Sequence, residues 1–176
     1  MPTPTVKRAS YDLVKAFSER FHDEVFHEPT AIPAHVLFAD IDADRSCGLG
    51  TIEERTYGFF LWAEDEIIGW HLGRQQSQQT FCMEGSGIRP AYQGRGYYKI
   101  LLDAVIQEAK AEGYASVMST HAADNNRIIV SKLRYGFLIK GFEINPMYGL
   151  DVKLVWYCGE AQKRAHEIRV GSRASL

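Results

Sequence analysis

The sequence lacks a strong charge bias, a long apolar run and any close pair of cysteines. Its 20 basic and 22 acidic side chains give a formal net charge of -2. This balance argues against bulk binding to nucleic acid or a membrane surface, because both partners select a basic face. No apolar run approaches the roughly 18 residues of a membrane span, and the charged N-terminus lacks the apolar middle of a signal peptide. We therefore expect a cytoplasmic protein with neither nucleic acid nor membrane as a partner.

Metal and disulfide patterns are also missing. Cys47, Cys82 and Cys158 are odd in number, far apart and outside any CxxC motif, which predicts reduced thiols. The segment "HDEVFH" is not the HExxH motif of zinc proteases. The acidic segment "DIDAD", 40–44, fails the calcium-loop pattern because Arg45 and Thr51 stand where that loop needs Gly and Glu. We expect no bound metal.

The apolar content is sufficient for one full core. The 176 residues are 45% hydrophobic and 24% charged, which fits a single domain over 1–176 with a polar tail at 159–176. A helix is predicted over 11–26, where apolar residues recur every fourth position. Two prolines in 29–54 predict a short helix and a long loop. The aromatic runs "YGFFLWA" and "IIGWHLG" flank an acidic turn and predict a β-hairpin.

The second half of the chain alternates strands and helices. A strand is predicted over 80–88, and its two glycines indicate a bulge or a close backbone approach. A helix follows over 96–112, and then the strand "YASVMSTH". Asp124 or Asn125 caps a short helix that ends at Gly136, and the strands "FLIKGFEI" and "VKLVWYC" pair at the end. This order predicts an α/β fold with helices on both faces of one sheet.

The segment "RPAYQGRGYYKILL", 89–102, combines a proline-led loop, two glycines and the start of a helix. Such a turn binds anions, because the first N–H groups of a helix have no partner of their own. A nucleotide triphosphate loop requires GxxxxGK[ST], which does not occur here. A dinucleotide loop requires a third glycine and follows the first strand, whereas this loop follows the third. The pattern therefore indicates a phosphate of another class.

Two segments together resemble the GNAT superfamily of acyl-CoA-dependent N-acyltransferases. The loop at 93–98 matches the family's Q/R-x-x-G-x-G/A motif in all but its last place, and Asn125 stands eleven residues before Gly136, as in the family. The resemblance covers about 57–158. It implies a GNAT-like mixed, mostly antiparallel central sheet, with acetyl-CoA as co-substrate and no metal.

The resemblance also implies where coenzyme A binds. The loop amides and the helix N-terminus hold its pyrophosphate, where a positive dipole meets an anion. The backbone of the preceding strand pairs with the pantetheine arm at the point where that strand and "SVMSTH" diverge. Asn125 contacts the arm from the far side. The implied cofactor-binding residues are Gly87, Ile88, Gln93, Gly94, Arg95, Gly96, Tyr97, Tyr98 and Asn125.

Two positions depart from the family pattern. Tyr98 stands where the family has glycine or alanine. We expect its ring to point into the core, since it shares an apolar stripe with Leu102 and Val105; a ring facing the pyrophosphate would exclude coenzyme A. Lys132 occupies the place of a tyrosine that protonates the leaving thiolate in many members. It either stabilises that thiolate electrostatically or lies near the phosphates.

An amine acceptor needs a base, because an alkylamine with a pKa of about 10.4 is mostly cationic at neutral pH. Glu84 lies on the strand beside the expected thioester, and an exposed strand carboxylate is the alternative interpretation. His121 ends the opposite strand and carries an imidazole that ordinarily titrates in the useful range; a loop cap is the alternative. A backbone N–H near Ile88 would meet the oxyanion. The candidate catalytic residues are thus Glu84, His121 and Lys132.

The predicted function is acetyl transfer from acetyl-CoA to a primary amine of a small molecule or protein by direct attack. The sequence shows no Cys–His or Ser–His pairing that would indicate an acyl-enzyme, and a covalent route through Cys82 is less favoured. The alternative is a catalytically silent module that binds coenzyme A or another ligand for regulation. A third possibility uses a longer acyl or an aminoacyl donor. The resemblance allows a homodimer, although no residue fixes its surface.

Overall fold

The computed structural model describes residues 4–26 and 55–172. Within these ranges a seven-stranded sheet has the order β1-β2-β3-β4-β5-β7-β6. Its strands are β1 (Thr5–Ala9), β2 (Thr56–Ala63), β3 (Glu66–Ser77), β4 (Thr80–Ile88), β5 (Ser116–Ala122), β6 (Leu138–Asn145) and β7 (Gly149–Tyr157). The described helices are α1 (Tyr11–Arg20), α2 (His22–Val25), α3 (Tyr97–Ala111), α4 (Asn126–Tyr135) and α5 (Glu160–Arg169).

The strand directions confirm the predicted mixed, mostly antiparallel sheet. Only β4 and β5 run parallel, and every other neighbouring pair is antiparallel. The predicted short helix and loop over 29–54 lie outside the described residues, as do the "DIDAD" segment and His27. The predicted pairing of the two closing strands is confirmed by the β6–β7 ladder.

Helices cover both faces of the sheet, as predicted. α3 packs its buried residues Leu101, Leu102, Val105, Ile106 and Ala109 into the larger core cluster. α1 lies on the opposite face, where Val14 joins Phe60, Trp70 and Leu72 in a second cluster. We call these the α3 face and the α1 face.

The predicted helix over 11–26 is interrupted. Phe21 leaves helical geometry at φ -109° and ψ 8°, so α1 ends there and α2 forms a separate turn. Its ring lies 4.7 Å from that of Phe17 and 4.8 Å from the Arg89 guanidinium. Leu13, one of the apolar residues that recur at every fourth position, is 58% exposed, while Val14 is fully buried. Aromatic packing, rather than the regular four-residue period, therefore determines where α1 ends and which of its residues are buried.

Two elements were not predicted. β1, with the polar sequence TVKRA, pairs with β2 at the sheet edge. This sequence lacks the alternation of apolar residues that predicts a strand. The polar tail contains α5, which contacts the sheet through a hydrogen bond between Tyr157 Oη and His166 Nδ1 (3.2 Å).

The parallel pair opens partway along its length. β4 and β5 pair from Thr80 with Ser116 to Met83 with Ser119. Beyond these pairs 85–88 remains paired with β3, and 120–122 remains paired with β7. A bulge in the β3–β4 ladder leaves Glu84 between the paired positions Met83 and Gly85. We call the space between 84–88 and 120–122 the fork; it lies at the predicted point of divergence.

The two glycines of β4, Gly85 and Gly87, have different surroundings, so the same substitution should affect stability differently at each. A Cβ at Gly87 would lie 2.4 Å from the Trp70 ring, whereas a Cβ at Gly85 would meet nothing within 4 Å. We expect Gly87→Ala to lower the free energy of unfolding by about 1–3 kcal/mol through overpacking, measured by chemical denaturation. Gly85→Ala should change it by less than about 0.5 kcal/mol. Equal stabilities of the two variants would contradict the close packing of Gly87 on the indole.

Candidate active site

The glycine loop before α3 presents unpaired backbone donors. Gly94 and Gly96 adopt left-handed φ values of 76° and 79°. Gly96 is the N-cap of α3 and has no side chain to bond the first-turn N–H groups. The Lys99 N–H donates to the Gly96 carbonyl at 3.0 Å, whereas the N–H groups of Tyr97 and Tyr98 precede the first regular helical bond and lie at the positive end of the helix dipole. The loop geometry is suited to binding an anion.

Gln93 ties this loop to its surroundings. Its Nε2 donates to the Ile88 carbonyl at 2.9 Å, and its Oε1 accepts from Arg127 at 2.9 Å. One side chain thus joins the end of β4 to the first turn of α4. These bonds hold the loop in place. They are a structural role that the predicted contact with cofactor did not include.

Tyr98 packs against the larger core cluster, as its position on the apolar stripe predicted. Burial raises the pKa of its phenol above the ordinary value. Tyr98 is half-buried, and it also lines a cavity beside the loop. Packing of this residue against the core is compatible with an anion bound by the loop amides.

A cavity of about 290 Å³ lies between α3 and α4, next to the loop. It contains three basic side chains, of which Lys99 is paired with Asp103 at 2.8 Å. Sequence reasoning missed the other two, Arg127 and Arg134; their seven-residue spacing on a predicted helix was the available signal. The lining residues are Tyr98, Lys99, Leu102, Arg127, Val130, Ser131, Arg134 and Tyr135.

Lys132 lies at the closed end of the fork. It is 1% exposed, its Nζ donates to Met83 Sδ at 3.4 Å, and it lies 5.1 Å from the Phe137 ring. Met83 is the last β4 residue paired with β5. Burial lowers the pKa of the Lys132 ammonium to about 7, and the charge of Cys82 opposes this shift. No carboxylate acts on this amine within 4–26 and 55–172.

Two histidines flank this lysine on the α3 face. His71 is fully buried, and its pKa is lowered to about 3 by burial and, secondarily, by the Lys132 charge. His121 bonds Ser119 through Nε2 at 3.2 Å, and the same two causes lower its pKa to about 3. The sequence-based reason for choosing His121, an imidazole that titrates near neutral pH, is therefore wrong. Desolvation beside a cation keeps both rings neutral.

His71 and Ser86 form a serine–histidine pair that sequence reasoning did not anticipate. Nδ1 of His71 lies 2.7 Å from the Ser86 hydroxyl, across the β3–β4 ladder. Among the described residues, Nε2 of His71 is buried without a hydrogen-bond partner. A ring with a pKa of about 3 is a poor base for a serine, and within 4–26 and 55–172 no carboxylate bonds this ring as in a hydrolytic triad. The pair does not indicate an acyl-enzyme.

Glu84 lies on the α1 face, opposite Lys132. Its carboxylate accepts a 2.7 Å bond from the Tyr11 hydroxyl and forms a 2.8 Å ion pair with Arg74. Burial and the bond to Glu84 raise the pKa of Tyr11 to about 12. The bulge is the feature that directs this carboxylate out of the sheet, toward the first helix.

Cys82 and Asn125 complete the set of predicted residues. Burial raises the pKa of the Cys82 thiol, so the protonated form prevails and a thiolate route gains no support. Asn125 caps α4, and its Oδ1 accepts from the Ile128 N–H at 3.4 Å. Within the described ranges, no group of three or more His, Cys, Asp or Glu side chains is arranged to hold a metal ion.

Comparison with known proteins identifies the family. Residues 12–137 match the acetyltransferase (GNAT) family. The chain therefore belongs to the GNAT acetyltransferases, which confirms the resemblance noted in its loop and helix motifs. Among the described helices, none combines the length and apolar character of a membrane span.

Individual relatives match at lower coverage or identity. A mycothiol acetyltransferase of Corynebacterium glutamicum (strain R) is 30% identical over 80 residues, or 46% of this chain and 27% of that protein. The chain thus matches little more than a quarter of this relative's length. The ribosomal-protein-S18-alanine N-acetyltransferase of Escherichia coli superposes with a TM-score of 0.66 at 16% identity, covering 90% of this chain and 97% of that one.

A GNAT family acetyltransferase from Elizabethkingia anophelis, solved with acetyl-CoA bound, gives a TM-score of 0.61 at 15% identity. The match covers 89% of this chain and 99% of that one. At such identities the two structural matches support the fold alone.

Proposed function

We propose that the protein transfers an acetyl group from acetyl-CoA to a primary amine by direct attack of the amine on the thioester. One observation carries this proposal: the parallel strands part after Met83 and Ser119, beside a helix N-terminus that no side chain caps. An extended thioester arm fits between strands that have lost their ladder partners, and a diphosphate fits the helix N-terminus.

The described residues fit acetyl-CoA at both ends of the fork. We place the diphosphate on the amides of 94–98, where Tyr98 packs against the core cluster and Arg95 adds charge beside the loop. Gly87 and Ile88 offer backbone groups to the pantetheine arm, and Asn125 is the candidate contact from α4. When bound, acetyl-CoA supplies an activated acyl group whose leaving thiol has an ordinary pKa of about 8.5.

Lys132 has the role of stabilising the leaving thiolate. Sequence reasoning left two roles open, and burial favours this one: the amine is 1% exposed and lies at the closed end of the fork. The cations suited to phosphates are instead Arg127 and Arg134, which line the exposed cavity beside the loop. A buried ammonium near a developing anion acts in a low-dielectric environment, where such contacts are strongest.

Glu84 is the first candidate for the base. It is solvent-accessible, and Tyr11 and Arg74 hold it in place on the α1 face, from which an acceptor can approach. His121 is the second candidate; a pKa of about 3 makes it a weaker base than a free imidazole. The acceptor is a small-molecule or protein amine, and we propose a cytoplasmic location. A homodimer is compatible with this site.

Replacement of Glu84 by Gln should lower kcat/KM by about 10²-fold, because the amine loses its proton acceptor. The loss should diminish as pH rises toward the pKa of the acceptor amine, measured as a pH–rate profile. Glu143→Gln removes a carboxylate that is ion-paired to Lys153 in the β6–β7 hairpin, and serves as the matched control with unchanged kcat/KM. A uniform loss at every pH would instead indicate that Glu84 has a structural role.

The function itself is tested by two measurements on the same preparation. Acetyl-CoA should raise the melting temperature, and a panel of small amines and N-terminal peptides should contain at least one that releases thiol from it. Stabilisation without thiol release from any amine would support the silent binding module. Absence of stabilisation would contradict coenzyme A binding altogether.

A further inference from the structure

We propose that Lys132 is also an acyl acceptor: with acetyl-CoA bound and no external amine present, its Nζ takes the acetyl group and the enzyme inactivates itself. This inference rests on the proposed function, because the thioester must be delivered into the fork. It goes further by assigning a covalent modification site at the residue that otherwise stabilises the thiolate.

The amine of Lys132 lies at the closed end of the fork. Lys132 extends from α4 to the last paired residue of β4, with Nζ 3.4 Å from Met83 Sδ. This contact lies where the β4–β5 ladder ends and the fork begins. If the fork receives the thioester arm, the acyl group would lie at this closed end, beside the amine.

The amine of Lys132 has only weak bonding partners among the described residues. An ammonium has three donors, and the hydrogen bond found for Nζ in the described part of the chain is to a thioether, a weak acceptor. A buried ammonium without a carboxylate is costly. The Phe137 ring, 5.1 Å from Nζ, offsets part of this cost. Neither it nor the thioether forms a strong bond that would hold the charged amine against reaction.

A large fraction of Lys132 is neutral at pH 7. The groups that face the amine are His71 on β3, Cys82 on β4 and His121 on β5; both rings are neutral, and burial raises the pKa of the thiol. With its pKa lowered to about 7, Lys132 is about half neutral at pH 7. An ordinary lysine of pKa about 10.4 is neutral in roughly one molecule in 2,500 at that pH. The fraction able to attack is thus about 10³-fold larger.

The reaction balances without a further reagent. The Nζ lone pair forms a bond to the acyl carbon, and the carbon–sulfur bond breaks with its electron pair on sulfur. The proton lost from nitrogen goes to that sulfur, directly or through solvent, to give coenzyme A thiol. The product is a neutral amide at Lys132, which removes both the nucleophile and the cation.

The test is incubation of the full chain with acetyl-CoA alone, followed by intact-mass measurement and peptide mapping. We expect one acetyl group on Lys132, released thiol equal to one equivalent of protein, and a labelling rate that rises several-fold from pH 6 to pH 8. The exposed Lys15 in the same digest reports non-enzymatic acetylation and should stay unlabelled. Lys132→Arg should show neither the label nor the thiol burst.

The outcomes separate the inference from the proposed function. A melting-temperature increase with acetyl-CoA, together with amine-dependent turnover but no acetyl on Lys132, overturns this inference alone. Acetylation confined to other lysines also overturns it. Absence of any melting-temperature increase overturns both. If Lys132→Arg does not fold, peptide mapping of the wild-type protein decides the question.

Discussion

Replacement of Lys132 by Met should make the protein more stable and nearly inactive. The pKa of the lysine falls from 10.5 to about 7 on folding, which sets an upper limit of about 5 kcal/mol on the cost of burying its charge. Met fills similar volume without that cost, so we expect the free energy of unfolding to rise by about 2–4 kcal/mol at pH 7. Loss of the cation at the thiolate should lower kcat by about 10²–10³-fold. Denaturant titration and initial rates measure the two effects.

The sign of the pH dependence follows from the direction of the shift. Because the folded pKa lies below the unfolded one, the unfolded chain binds more protons between pH 7 and pH 10.5. Wild-type stability therefore rises with pH across that window, and the cost is fully present below pH 7. The stability advantage of Lys132→Met should be largest below pH 7 and shrink toward pH 10.5.

Two comparisons keep this prediction specific. Lys15→Met, on the exposed side of α1, should change stability by less than about 0.5 kcal/mol at any pH. Lys132→Tyr, which restores the residue of the family pattern, should recover part of kcat because a phenol can protonate the thiolate. A destabilised Lys132→Met variant would contradict the expected cost of burying this charge, and an unchanged kcat would contradict the assignment of Lys132 to catalysis.

Replacement of Gly96 by Glu should abolish the stabilisation by acetyl-CoA. Its carboxylate would stand at the N-terminus of α3, where the diphosphate is expected. Two like charges about 4 Å apart near a protein surface repel by about 4 kcal/mol, or roughly 10³-fold in affinity. The measurement is the melting-temperature shift at increasing acetyl-CoA concentration.

Two variants control for the strain of a side chain at a left-handed position. Gly113 follows α3 at its other end, with φ +83° and open space around its Cβ, as at Gly96 with φ +79°. Gly113→Glu therefore carries the same charge and similar strain, yet should keep the full melting-temperature shift. Gly96→Asn introduces an uncharged side chain that tolerates a left-handed φ. This variant should retain most of the melting-temperature shift. An unchanged shift in Gly96→Glu would refute the placement of the phosphate site.

Local chemistry made the centre of the fold predictable from the sequence. The predicted strand over 80–88 coincides with β4, and the helix over 96–112 differs from α3 by one residue at each end. Glycines in left-handed conformations lie at the ends of these elements. Glycine is the residue that adopts this conformation without steric cost, so its position in the sequence marks such ends. Apolar periodicity then fixes which side of α3 meets the sheet.

The less predictable features depend on contacts between distant residues. His71 and Ser86 meet only because β3 and β4 pair in one register. The low pKa of His121 arises from burial beside Lys132, eleven positions away in sequence. The break at Phe21 reflects packing against Phe17 and Arg89. Periodicity within one segment carries no information about such contacts.

The burial of Lys132 is the clearest case. A lysine in a helix with polar neighbours at 131 and 134 is typical of a solvated face, yet the structure buries it completely. Only its alignment with a family position marked it for attention. The depth of burial, and with it the altered pKa, required the three-dimensional arrangement of α4 over the end of the β4–β5 ladder.

Crystallisation with acetyl-CoA would show where the diphosphate and the thioester bind. We expect the diphosphate on the amides of 94–98, the arm between β4 and β5, and the sulfur within about 3.5–4 Å of Lys132 Nζ. Crystals soaked with acetyl-CoA and lacking an amine should in time show an amide at that nitrogen. Density for the diphosphate away from this loop, or a thioester outside the fork, would contradict the account.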